Sequence, residues 1–202
     1  MCLLVFTEVN AQKKAVTENG EEVILYDNGT WKYLSEPVKI IPLETNPNPV
    51  TRPGNATFQL KSKKIPDISF WVDTKKWRFV KGELNADAEF ELKHKEHDLY
   101  AMIIVEKMEI PLESLKDIAY QNARSAAPDL EIIRQEYRTV NGMKTIFMHM
   151  VGTMNGIRFA YYGHYFSNPQ AAVQFITFTS QNLMKEYAKE AEEILAGMEG
   201  KK

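Results

Sequence analysis

The chain has 202 residues, 44% of them hydrophobic and 26% charged, and a formal net charge of −2, which suits one domain with an ordinary core plus appendages. The near-neutral balance removes the usual electrostatic ground for nucleic acid or an acidic membrane as a partner, and no apolar run approaches the roughly 20 residues of a membrane-spanning helix. Cys2 is the only cysteine, so a disulfide within the chain is excluded.

Residues 1–11 are read as the remnant of an export signal. Met1-Cys-Leu-Leu-Val-Phe is a short apolar run, and Val9-Asn10-Ala11 before Gln12 has the small residues of a signal-peptidase site. No positive segment precedes the run, so the genuine start is expected upstream and the mature chain near Gln12, in the periplasm or otherwise exported. Cys2 lacks a lipobox, which argues against a lipid anchor there.

Residues 12–36 hold a small hairpin unit. In EVILYDNGTWKYL (Glu22 to Leu34), Asn28-Gly29 is expected as a two-residue turn that sets Tyr26 against Trp31 and Ile24 against Tyr33. Pro37, Pro42, Pro47, Pro49 and Pro53 then fall within 37–56. Proline fixes φ and removes a donor, so this stretch is expected as a semi-rigid, exposed linker.

The main domain is expected over 57–199, opening at Phe58. Strands are expected at Ile68–Asp73, Lys75–Phe79, Ala88–His94 and Leu99–Glu106. A helix from Pro111 to Ala127 follows from Leu112, Leu115, Ala119, Ala123 and Ala126, with Pro128 as its stop. Asn141-Gly142 and Asn155-Gly156 lie between β-rich runs and predict an antiparallel meander over 130–140, 143–154, 157–166 and 172–179. A second helix is expected over Ser180–Met198, its stripe made by Leu183, Met184, Tyr187, Ala191, Ile194, Leu195 and Met198.

Two-residue turns fix the register. Val140 should face Met143, Arg138 Thr145, Glu136 Phe147 and Arg134 His149; Met154 should face Ile157, Met150 Tyr161, Met148 Gly163 and Phe147 His164. One face then gathers Ile133, Tyr137, Ile146, Met148, Met150, Met154, Ile157, Phe159, Tyr161 and Tyr165 as a core. The other gathers Arg134, Glu136, Arg138, His149, Arg158, Tyr162 and His164, with Phe147 and Val151 among them. Guanidinium forks suit carboxylate and phosphate, so Arg134, Arg138, His149, Arg158, Tyr162 and His164 are the candidate ligand-binding set. The plainer expectation is a solvated face of cross-strand ion pairs, since antiparallel sheets often face water on one side.

Other constellations are weaker. His94, Glu96, His97 and Asp98 have ligand chemistry but sit in a tight turn rather than at metal-ligand spacing, so no metal is expected. No G-x-S-x-G turn or phosphate-cradling glycine loop occurs. Trp71 and Trp77 are expected as core anchors.

The order strands, helix, four strands, helix defines an α+β fold: an antiparallel sheet with helices packed on it. ISFWVDTKKW, IPLESLKDIA, VNG, GIRFAYYGHYFS and QFITFTSQNL, with the terminal helix, resemble the PsbP/Mog1-like fold over about residues 57–199. The G-x-x-V-x-L-x-x-x-G-T-W pattern of the hairpin resembles a short element of exported bacterial proteins. The resemblance implies envelope location and supplies no shared catalytic residues or cofactor. The expected function is therefore a non-catalytic exported protein that binds a partner protein or small ligand, in envelope assembly or maintenance. The alternative is a hydrolase-type enzyme or small acidic ligand site using His149 and His164.

Overall fold

The structure, a computed structural model, describes residues 12–18, 22–34, 41–82 and 84–200, so the expected export remnant lies outside the described residues. The chain divides into two compact units, residues 1–40 and 41–202.

The first unit is a three-stranded antiparallel sheet of β1 (Gln12–Val16), β2 (Glu22–Tyr26) and β3 (Trp31–Tyr33). β1 was not anticipated. The β2–β3 register also differs from expectation: Leu25 faces Trp31 and Val23 faces Tyr33. The turn explains the slip. Only Gly29 has positive φ there, at 79°, and Asn28 instead accepts a hydrogen bond from the Thr30 N–H at 3.0 Å. Three residues, not two, therefore separate the hydrogen-bonded Tyr26 and Thr30, and the pairing shifts by one.

The second unit begins with β4 (Glu44–Thr45) and continues through β5 (Phe58–Lys61), β6 (Ile68–Val72), β7 (Trp77–Val80), β8 (Phe90–His94) and β9 (Tyr100–Glu106). Helix α1 (Leu112–Ala126) follows, with Pro111 at its N-cap. Then come β10 (Glu131–Val140), β11 (Met143–Met154), β12 (Ile157–Asn168), β13 (Ala171–Ser180), α2 (Gln181–Leu195) and β14 (Met198–Gly200). Eight strands form one sheet in the order β4-β10-β11-β12-β13-β9-β8-β7, and β14-β6-β5 form a smaller one.

At both meander turns Asn and Gly have positive φ: 48° and 81° at 141–142, 51° and 78° at 155–156. That is the type I′ geometry, and every expected pair along the two hairpins is present. One bulge interrupts β10 between Ile132 and Arg134. It turns Ile133 out to solvent at 44% exposure, so Ile133 leaves the core face and Ile132 packs there in its place.

Each face of the large sheet carries a packed core. Ile146, Met148, Met150 and Tyr165 pack with Leu115 and Ala119 of α1. Phe147, Val151, Tyr162, Phe166 and Phe175 pack with Met184, Ala191, Ile194 and Leu195 of α2 and with Ile68, Phe70 and Val72 of β6. The expected solvated face is therefore a second core. α2 is also shorter than expected: it ends at Leu195, and Met198 enters β14 to pair with Phe70. Gly197 makes the hinge, because a Cβ there would lie 2.1 Å from the Trp71 carbonyl oxygen.

The proline-rich stretch, expected as a semi-rigid, exposed linker over 37–56, is from Ile41 onward bonded along β10. β4 pairs with it in parallel, the Val50 N–H donates to Thr139 O at 2.7 Å, and the Asn141 N–H donates to Val50 O at 2.9 Å. An otherwise open sheet edge is thereby covered.

Candidate functional site

The meander register sets the candidate polar residues on successive rungs. Arg134, His149, Tyr162 and Thr177 form one; Glu136, Phe147, His164 and Phe175 form the next. The Arg138 guanidinium lies 3.8 Å from the Phe147 ring centroid, and its Nε donates to Glu136 Oε1 at 2.5 Å. Glu192 of α2 sits 3.7 Å from Arg138 and 3.6 Å from Arg134. Asn46, brought in by the segment along β10, donates to Glu136 at 3.1 Å. Burial raises the Glu136 pKa, but the bonds from Asn46 and Arg138 and the charge of Arg138 outweigh it, leaving the group below its ordinary value.

Both histidines are held neutral. His164 is 1% exposed and its Nδ1 lies 3.1 Å from the Thr145 hydroxyl. Burial, reinforced by Arg138, pushes its pKa down to about 3. His149 meets the Tyr162 ring edge-on at 4.7 Å, and burial with Arg134 pushes its pKa down to about 4. Arg134, Arg138, His149, Tyr162 and His164 are thus brought together on the face that carries α2, Arg134 at its exposed rim, with the arginine charges answered by Glu136 and Glu192. Arg158 stands apart, bonded to Gln181 at 2.8 Å and 3.4 Å from Asp129.

An opening occurs where this cluster reaches the sheet edge. A cleft of about 360 Å³ is lined by Thr45, Asn46, Tyr137, Arg138, Thr139 and Lys144. Lys144 is its exposed cation, 4.2 Å from the Tyr137 ring centroid and 4.0 Å from Glu113. The Tyr137 hydroxyl donates to Glu113 at 2.6 Å, a bond that lowers the Glu113 pKa and raises that of Tyr137. Arg138 was a sequence candidate. Thr45, Asn46, Thr139 and Lys144 were not, because the pairing of β4 with β10 rests on two residues inside a proline-rich stretch and leaves no periodic signal.

The His94-x-Glu96-His97-Asp98 turn is a stacked structure. His94 Nδ1 accepts the Glu96 and His97 N–H groups at 3.2 and 3.1 Å, the His94 ring stacks on His97 at 4.5 Å, and His97 stacks on Tyr187 at 4.6 Å. With Nδ1 accepting, the proton of the neutral ring is on Nε2, so neither nitrogen offers a free lone pair to a metal. Among the described residues no group of three or more His, Cys, Asp or Glu is placed to hold a metal ion, and no helix is long and apolar enough to cross a membrane.

No protein-family model matches the chain, and no curated protein sequence matches it. Solved structures do. The chain is similar to the solution structure of cyanobacterial PsbP from Synechocystis, with a TM-score of 0.52, 13% identity, and cover of 71% of this chain and 92% of that one. A protein from Bacteroides thetaiotaomicron aligns with a TM-score of 0.47 and 13% identity over 71% of this chain, which spans about half (48%) of that protein's length. A protein of unknown function from Pseudomonas aeruginosa aligns with a TM-score of 0.43 and 9% identity over 68% of this chain and 94% of that one. At these identities the likeness is one of fold. The chain carries a PsbP-like α+β fold.

Proposed function

We propose that this chain is a non-catalytic exported protein of the bacterial envelope that takes a small acidic ligand, or an acidic side chain of a partner protein, in the cleft between β4 and β10. The observation that carries the reading is the cleft lining. Lys144 supplies a solvent-facing ammonium, and Asn46, Thr45 and Thr139 supply neutral hydrogen-bonding groups. That combination suits one carboxylate or phosphate. A general base must reach the proton it removes, and His164, sealed in the core, gives the hydrolase alternative no support.

Two measurements test the proposal. Amide chemical shifts on titration with succinate and with inorganic phosphate should move at Thr45, Asn46, Thr139 and Lys144, and Lys144→Glu should abolish the movement; saturating anion with no shifts in this set sinks the cleft. For export, N-terminal sequencing of protein recovered from its host should find a start near Gln12. A chain retaining Met1 in the cytosolic fraction sinks that half.

A further inference from the structure

One rung of the large sheet, on the face that carries α1, runs Arg78-Lys93-Tyr100-Phe178-Tyr161-Met150-Ile132 across β7, β8, β9, β13, β12, β11 and β10. Its polarity changes in one direction. Two cations stand directly opposite each other at the β7 edge, an arrangement that is destabilising in an antiparallel pair. Lys93 bonds to the Tyr100 hydroxyl at 2.9 Å, which in turn donates to Asp98 at 2.9 Å; Arg78 is exposed and forms no ion pair among the described residues.

An aromatic cluster follows. Tyr100 and Phe178 stack at 5.4 Å, and Phe178 meets Tyr161 at 5.9 Å and Phe159 at 6.4 Å. All four rings are half-buried rather than sealed, and Ile157 beyond them is 50% exposed. Tyr161 leans on the α1 core and closes the far end. From Lys93 to Tyr161 is three strand spacings, about 14 Å.

We propose that this face binds a single-chain amphiphilic anion, its carboxylate-type head between Arg78 and Lys93 and its apolar tail along Tyr100, Phe178, Phe159 and Tyr161. The excess positive charge calls for an anionic head. The rings remove tail surface from water in a strip only about three strands wide, which fits one chain and not an extended apolar partner. Lys93 is tied to Tyr100 and through it to Asp98, so Arg78 is the cation left to meet a monoanion. The site is separate from the β4–β10 cleft and does not depend on it.

The test is calorimetric titration of the full chain with sodium dodecanoate below its micellar concentration. Saturable one-to-one binding is expected. Arg78→Glu should weaken it about fivefold or more, the size of one reversed exposed ion pair, and Phe159→Gln should weaken it independently. Lys144→Glu, in the cleft, should leave it unchanged. Acetate, which lacks the tail, should give no signal that Arg78→Glu removes, and dodecanol, which lacks the charge, should fail to bind at matched concentration. Three results overturn the proposal: dodecanol binding as tightly as dodecanoate, dodecanoate binding unmoved by both Arg78→Glu and Phe159→Gln, or binding seen only to phosphatidylglycerol vesicles.

Discussion

His164 shows how far one residue's surroundings change its meaning. In the sequence it falls on one strand face with Arg158 and Tyr162; in the fold it is buried, neutral, against Thr145. Its pH behaviour follows from the sign of the shift. Unfolded imidazoles take up protons below about 6.5, whereas His149 and His164 do so in the fold only near 4 and 3. Between those limits the unfolded chain binds more protons, so the histidine contribution is complete above pH 6.5 and is lost as pH falls toward the folded values. Urea unfolding at pH 7, 6 and 5 should show stability falling by up to about 1.4 kcal/mol per pH unit for each such histidine. His164→Leu should remove its share of that slope, and His164→Ala should cost about 2–4 kcal/mol at pH 7. Arg134→Ala, whose ion pair to Glu192 is exposed on both sides, should cost about 1 kcal/mol or less. A slope identical in wild type and His164→Leu would show that the imidazole is not held neutral.

At the scale of elements, the turns were legible and the edges were not. Asn141-Gly142 and Asn155-Gly156 specify a local backbone state, positive φ at two successive residues, and that state fixes the pairing of two long hairpins. Asn28-Gly29 carries the same letters, but the Asn28 side chain bonds locally to Thr30 and the turn takes another form. The Ile132–Arg134 bulge, β14 and β4 left no local mark, because each exists to satisfy a partner remote in sequence. The cleft went unread for the same reason. The segment over 41–56 makes the clearest test. Hydrogen bonds in both directions tie it to β10 and the turn that follows, including Gln135 Nε2 donating to Ile41 O at 2.5 Å and the Arg52 N–H donating to Asn141 Oδ1 at 2.8 Å. Each bond contributes about 0.5–1.5 kcal/mol net, and Pro42, Pro47, Pro49 and Pro53 lower the ordering cost because their φ is fixed beforehand. A fragment of residues 57–202 should therefore unfold at least about 2 kcal/mol more easily than one of residues 41–202, and should self-associate through the uncovered β10 edge. Equal midpoints and equal monomeric behaviour would return the stretch to the status of a linker.

The main unit is a three-layer arrangement with the large sheet in the middle, and each of its two cores packs on one face of that sheet. One face was expected to be wet because Arg134, Glu136, Arg138, His149 and His164 lie on it. Pattern alone could not reveal that Phe147, Val151, Tyr162 and Phe166 outweigh them once α2 and β6 supply a lid. The consequence is that adjacent residues of β11 serve opposite cores: Phe147 packs toward α2, Met148 toward α1, and both are fully buried. A sheet cannot keep its register when either covering layer is lost, since both sets of side chains depend on the same pairing. Phe147→Ala should then cost about 3–5 kcal/mol and Met148→Ala about 2–5 kcal/mol. Both should shift one shared transition of the main unit, with the denaturant slope unchanged. The probes are Trp77 fluorescence, which reports the α2 side, and amide exchange at Leu115 and Ala119, which reports α1. Coincident curves in each variant establish one cooperative unit. A Met148→Ala protein that loses α1 protection while Trp77 fluorescence stays native would show instead that the two faces of the sheet fold as separate units.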